Sequence, residues 1–362
     1  MTDGIPVSGF ELAGWLPGIF AVIAAAGVLI GAFQMKDGLR RNFIYTAAGT
    51  LCFWLTAVLL VQAGRMLPSG ASPRVSPAIG FWGLPAASYV LIDHSRRTSS
   101  SGRRILRGLI LPAVLLLPAV VILAGGRGES ISVFREWTVR RSRFLDELLM
   151  HIRLFGTAVI SAAVLGIPLG ILVFRNKRTG AWLSAFVDGM QTVPSMALFG
   201  LLMAPLAALS RAFPLLRSLG LRGIGTPPAL IALTLYALLP IVRNTAAGLA
   251  SVPSFALEAG RGLGMSSLQL FSRVQWPMAL PHVLSGIRTS SVQAVGNTAV
   301  AALIGAGGLG VMVFQGLGQA APDLVLLGVI PLILMAVAVD RIWGLVISLR
   351  VSPGLQMKGA SS

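Results

Sequence analysis

Charge is what this sequence has least of. Only 11% of its 362 residues are Asp, Glu, Lys or Arg, where soluble domains carry about a quarter. Acids number 12 against 29 Lys and Arg, a net charge of +17. One cysteine, Cys52, excludes an intrachain disulfide. The three histidines, His94, His151 and His282, lie far apart and show no metal-ligand spacing. Asp188 and Asp340 stand singly, and His151 has no evident partner in the sequence. An intramembrane enzyme would need paired carboxylates, or a nucleophile with its base, and these are missing. No GxxxxGKS/T phosphate loop occurs, so any ATP is hydrolysed elsewhere. The opening MTDGIPVSGFELAG lacks the basic region of a cleaved signal peptide. A basic chain can bind nucleic acid, but these arginines punctuate apolar runs and form no patch with aromatic platforms, which argues against nucleic acid.

What is present is apolar length. Hydrophobic residues make up 55% of the chain, and about twenty in a row suffice for a membrane-spanning helix. Nine candidate spans follow, at about 16–33, 43–61, 78–92, 105–124, 154–174, 186–209, 229–242, 287–304 and 324–347. The third and seventh are short, and tilting or taking in flanking residues would extend the seventh. Lys and Arg cluster in alternate connections: Lys36, Arg40 and Arg41; Arg96 to Arg107; Arg175, Lys177 and Arg178. The bias of basic loops to the cytoplasm then puts the N-terminus outside and the C-terminus inside. Arginines at 127–143 and at 211–222 run against this rule. The first group suits an interfacial amphipathic helix. The expected organisation is a membrane extension of about four spans over 1–125, an interfacial linker helix over 126–150, a core over 151–350 and a cytoplasmic tail over 351–362.

The core carries one polar interruption patterned for two short helices. Ser254 is placed to cap the first, and Ala256, Leu257, Glu258 and Ala259 are good helix formers. Gly264 stands where a left-handed residue ends a helix. Ser266 and Gln269 have capping-box spacing for the second. Leu268 and Phe271 share its face, and Pro277 is expected to stop it. Arg261 and Arg273 form a basic flank. Two helices this short bury little against themselves, so a docking element is expected.

The order Glu258-Ala259-Gly260, Gly264, Val274 and Pro277 resembles the cytoplasmic EAA loop of ABC-importer permeases. Gly260, Val274 and Trp276 are mild departures from that pattern. QTVPSMALFG, PPALIALTLYALLPIVRNT and NTAVAALIGAGGLG are similar to the permeases of glycine betaine, carnitine and choline importers. The resemblance covers about 145–350. It implies an all-α polytopic protein of about nine transmembrane helices with a five-helix type I core. It also implies that 251–283 is the coupling loop to a partner ATPase, with Phe255, Leu257, Glu258, Ala259, Gly260, Arg261, Gly264, Leu268, Phe271 and Pro277 carrying the contact. Implied partners are that ATPase, an extracytoplasmic substrate-binding protein, a second permease copy or paralogue, and membrane lipid. The chain itself would be no enzyme and hold no cofactor, with ATP and Mg on the ATPase.

Polar residues at membrane depth either line a path or glue helices together. Gln191, Thr192, Ser195, Asn244, Gln293, Asn297 and Thr298 are the candidates for the path. Asp188 lies near a span end, where a structural role is favoured over a proton relay. The expected activity is ATP-driven import of osmoprotectants across the plasma membrane. The alternatives are a methionine or other amino-acid importer, and a secondary carrier or channel, which usually carries charge deep in its spans.

Overall fold

The computed structural model describes residues 132–218 and 220–350. The first four expected spans and the C-terminal tail lie outside these residues. The chain divides into two compact units, Met1–Val139 and Arg140–Ser362. The sites below belong to the second.

Among the described residues all regular structure is helical. Helix α1 spans Ser132–Arg175, with non-helical backbone at Arg140 (φ −111°, ψ 16°). Its first half covers the segment expected to lie at the interface. Then come α2 (Lys177–Thr192), α3 (Ser195–Ala212), the short α4 (Pro214–Ser218) and α5 (Thr226–Ala250). The loop elements α6 (Ser254–Gly262) and α7 (Ser267–Leu270) precede α8 (Trp276–Val300). Helices α9 (Gly310–Gly318) and α10 (Pro322–Arg350) complete the order. Among the described residues, four stretches are long and apolar enough to cross a membrane: Arg135–Arg175, Ser195–Ala212, Thr226–Ala250 and Pro322–Leu349.

Three expected spans change shape. The one at 186–209 is broken at Val193-Pro194, between α2 and α3, because proline has no N–H to continue the ladder. Tyr236 of α5 donates its hydroxyl hydrogen to the Val193 carbonyl at the break. The short run at 229–242 grows to the 25-residue α5, which takes in its polar flanks. The run at 287–304 begins far earlier, at Trp276, and ends in a 3-10 turn at Ala301–Ile304.

Helix α5 is the hub. Its first half buries Ala229, Ala232 and Leu233 among Leu154, Ala158, Leu198, Phe199 and Ala301. Its second half buries Ile241 and Val242 among Val159, Ala162, Val283, Ile287 and Ala294. Alanines recur among these contacts, and glycines stand at the tightest crossings, because lipid offers no hydrophobic drive between helices and close backbone approach must do the work. At Gly170 of α1 a Cβ would lie 2.6 Å from the Thr245 Cβ of α5. At Gly248 of α5 it would lie 2.7 Å from the His282 Cβ of α8. The buried Ser290 hydroxyl of α8 donates to the Ala237 carbonyl of α5 at 2.7 Å.

Candidate functional site: an exposed helical loop and a polar helix face

The first site is built by the chain leaving α5. Pro253 holds an extended backbone (φ −60°, ψ 137°) directly before α6. Ser254 is therefore the first helical residue and makes no side-chain cap, contrary to its expected role. The other end of α6 is as expected. Gly264 has φ +76°, Gly264 N–H donates to Arg261 O at 2.9 Å, and Met265 N–H donates to Gly260 O at 3.1 Å. That pair of bonds is the Schellman closure, which needs a left-handed residue at this position. The capping box also forms: Ser266 N–H donates to Gln269 Oε1 at 2.9 Å, and Gln269 N–H to Ser266 Oγ at 3.4 Å.

Pro277 does not stop the second helix. A widened π turn, Phe271–Gln275, joins α7 to α8, and Pro277 sits in the first turn of α8. In a regular helix its ring would clash with the Arg273 carbonyl; the wider turn takes up that conflict.

The loop presents apolar side chains to the outside. Phe255 is 72% exposed, Leu263 79% and Leu268 75%. Glu258, Ala259 and Arg261 are exposed beside them, and Leu257 is half-buried. Gly260 instead faces inward: a Cβ there would lie 2.6 Å from Leu270 Cδ1. The departure from alanine at this position thus has a packing cause. Phe271 is half-buried beneath the Arg175 guanidinium, 5.1 Å from its ring centroid. Its ring lies 6.2 Å from that of Trp276. Arg175 ends α1, so a cation–π contact fastens the loop to the first core helix. Sequence reasoning missed Leu263 and Arg175. The apolar residue before Gly264 was a signal for the first; nothing local signalled the second.

The second site is one face of α8. Ser285, Thr289, Gln293 and Gly296 recur at helical spacing and are exposed, with Arg288 and Asn297 half-buried at its edges. No large exposed apolar side chain falls on this helix, whereas α1 and α10 expose Ile160, Val164, Ile333 and Leu334. Those two helices therefore show lipid-type faces, and α8 does not.

The remaining path candidates scatter. Thr298 is buried, and its hydroxyl donates to Ala294 O at 2.7 Å within its own helix. Asn244 donates from Nδ2 to Pro240 O at 2.8 Å and packs at the crossing with α8, where a Cβ on Gly286 would meet its Cβ. Thr192 ends α2 and donates to Gly189 O at 2.7 Å. Ser195 opens α3 and is half-buried. Gln191 belongs to α2, and its side chain, like that of Asp188, lies outside the described residues.

Two residues that stand alone in the sequence acquire partners in space. His151 is fully buried, and its Nε2 lies 3.1 Å from the Val295 carbonyl. A carbonyl only accepts, so Nε2 carries the hydrogen. One turn earlier, Glu147 Oε2 accepts from Gly308 N–H at 2.7 Å. Gly308 has φ +91°, and a Cβ on it would lie 3.0 Å from His151 Nδ1. Asp340 of α10 pairs with Arg288 of α8 at 2.7 Å.

A helical membrane chain with a helix-turn-helix loop in mid-sequence, followed by a polar-faced helix, has the build of a transport permease. The chain belongs to the family of binding-protein-dependent transport system inner membrane components, whose model matches residues 162–348. Residues 1–134 match the ABC transporter permease YehY, N-terminal domain. Among similar proteins, the osmoprotectant import permease protein OsmW of Salmonella typhimurium is 42% identical over 194 residues, 52% of this chain and 83% of the relative. The glycine betaine/carnitine/choline transport system permease protein OpuCD of Bacillus subtilis is 36% identical over 201 residues, 55% of this chain and 81% of the relative. A solved structure of the MetNI methionine ABC transporter in an inward-facing conformation is 25% identical, covers 56% of this chain and 95% of that chain, and has a TM-score of 0.45.

Proposed function

We propose that this chain is the membrane-spanning permease subunit of an ATP-driven importer for small osmoprotectants such as glycine betaine, carnitine or choline. The observation that carries this reading is the loop from Ser254 to Gln275. It is held rigid by a Schellman closure, a capping box and the Arg175–Phe271 contact, yet it leaves Phe255, Leu263 and Leu268 uncovered. Exposed apolar groups on a stiff frame suit docking into a partner's groove. The partner is the ATPase, which binds ATP and Mg. An extracytoplasmic binding protein delivers substrate, and a second permease completes the passage. The similarity to permeases named for osmoprotectants supports the substrate class.

In this reading the loop faces the cytoplasm and the glycine-rich turn at 305–308 faces outward, with the N-terminus outside. Closure of the ATPase pair pushes on α6 and α7. Because α7 runs through the π turn into α8 without a break, that push moves the polar face of α8 directly. Residues 1–125 are a membrane extension, and the core works as an importer subunit without it. The test is uptake of labelled glycine betaine by the permease reconstituted with its ATPase and binding protein. Uptake is expected to require ATP and to ignore ion gradients. Uptake driven by an ion gradient without ATP refutes the mechanism; ATP-driven uptake of methionine alone refutes the substrate.

A further inference from the structure

The second group of arginines that runs against the basic-loop rule, Arg211, Arg217 and Arg222, falls on one connection. It joins two stretches able to cross a membrane, Ser195–Ala212 and Thr226–Ala250, so it lies at a bilayer surface whichever way the chain is oriented. Helix α5, about 37 Å long, separates it from the loop that begins at Ser254, and the two lie at opposite ends of that hub. The connection is built firmly. A Cβ on Gly223 would lie 2.5 Å from the Ala207 Cβ of α3, and Gly225 N–H donates to Ile304 O at 2.8 Å. Helix α4 closes as α6 does: Gly220 has φ +89°, Gly220 N–H donates to Arg217 O at 3.0 Å, and Leu221 N–H donates to Leu216 O at 2.9 Å.

The crest of this connection is open. Phe213, Leu215 and Ile224 are exposed, and so are all three arginines. Arg211 spends its Nε on the Ala207 carbonyl of its own helix, at 3.3 Å. Arg217 and Arg222 make no hydrogen bond or ion pair among the described residues. No Asp or Glu occurs between Asp188 and Glu258, so no acid near in sequence offsets this charge. The apolar side chains continue those of α3, which exposes Leu201 and Leu209. A footprint for another protein keeps charge out of its centre and moves it to the rim. Here arginine and apolar residues interleave along the chain. That composition suits a segment lying in the headgroup layer, where apolar side chains reach the acyl boundary and arginine stems carry guanidinium to the phosphates. Guanidinium fits phosphate oxygens through paired N–H donors. A zwitterionic headgroup neutralises its own phosphate, whereas an anionic lipid leaves that charge for the arginines. We infer that residues 211–224 form an anionic-phospholipid site, in which the three arginines bind headgroup phosphate and Phe213, Leu215 and Ile224 anchor in the boundary beneath. The site gives these arginines a cause that orientation does not. It rests on the membrane character of the chain and not on the proposed substrate.

The experiment puts a fluorescent reporter on the segment in the full-length permease assembled with its ATPase. Exposed Ala212 is changed to cysteine in a Cys52→Ser background and labelled with bimane. The complex is reconstituted in vesicles of phosphatidylcholine and phosphatidylglycerol, with quenching bromine carried by one lipid or the other. One arginine near an anionic surface is worth about fivefold in association, so phosphatidylglycerol is expected to be preferred over phosphatidylcholine by at least about that factor. High salt is expected to weaken the preference, because it screens charge. The triple variant R211Q/R217Q/R222Q is expected to bring it below about twofold, with basal ATP hydrolysis confirming assembly, and the three lysine substitutions are expected to keep most of it. The single variants R217Q and R222Q, each expected to lower it in part, serve if the triple variant does not assemble. No preference for phosphatidylglycerol with the arginines intact, a preference that salt does not weaken, or one that survives their loss overturns the inference. So does a reporter that is blind to lipid composition and shielded by added binding protein, which marks a protein-docking surface. ATP-driven uptake by the same vesicles tests the proposed function separately, and its failure leaves the lipid site standing.

Discussion

Replacing Gly264 isolates the backbone term of the docking loop. Its φ is +76°, and a Cβ added there meets no atom within 4 Å. Any effect of Gly264→Ala is therefore conformational and not a clash. A left-handed conformation costs a residue with a Cβ roughly 1–2 kcal/mol, and a β-branched side chain fits it less well still. The two bonds that close α6, Gly264 N–H to Arg261 O and Met265 N–H to Gly260 O, exist only in this conformation. The strain shifts the loop toward conformers that misplace Leu263 and Leu268, and a shift of 1–2 kcal/mol changes a population about five- to thirtyfold. Affinity for the ATPase falls by the fraction of competent loop. Membrane insertion rests on apolar spans elsewhere and does not change. The assay is affinity of the permease for its ATPase, together with substrate-stimulated ATP hydrolysis, across Gly264→Asn, Gly264→Ala and Gly264→Val. The expected order of loss is Asn, then Ala, then Val, because asparagine tolerates the left-handed region. Full affinity and full stimulation in Gly264→Val refute the assignment of this loop as the coupling element.

Four further outcomes are expected. Gly170→Leu forces α1 away from α5, because even its Cβ would stand 2.6 Å from Thr245 and 2.8 Å from the Val242 carbonyl oxygen; a thermal-unfolding scan should show a loss of about 1–3 kcal/mol, while Gly156→Ala, within the same helix and with nothing within 4 Å, should instead gain about 0.5–1 kcal/mol. Tyr236→Phe leaves the Val193 carbonyl without its donor and should cost about 1–3 kcal/mol in the same scan. A double-mutant cycle of Arg175→Ala and Phe271→Leu should give a coupling of about 0.5–1 kcal/mol at this exposed site, and strict additivity refutes the tie between α1 and the loop. Gln293→Leu, on the exposed face of α8, should reduce uptake per folded molecule while Thr298→Val, buried opposite, should reduce folded yield; the reverse pattern refutes the assignment of faces.

Much of this protein is decided within short stretches of chain. The dearth of charge and the long apolar runs dictate membrane helices, because only helices and closed barrels satisfy backbone groups in lipid and apolar runs of about twenty residues suit the helix. The turn at Gly264 and the capping box at Ser266 are legible because both ends of each bond lie within a few residues. The same locality makes the family's phrases readable around Glu258 and Asn297. What only tertiary structure decides involves partners far apart in sequence or conflicts settled by neighbours. Pro277 reads as a helix stop, yet a π turn just before it lets α8 continue. The span at 186–209 reads as one run, yet it breaks where Tyr236 captures the Val193 carbonyl. Thr298 and Gln293 look alike as polar residues of one span. Tertiary packing buries one and leaves the other exposed. Arg288 with Asp340, and Arg175 with Phe271, are invisible to any local rule, because helical periodicity says which residues share a face but not which face another helix will cover.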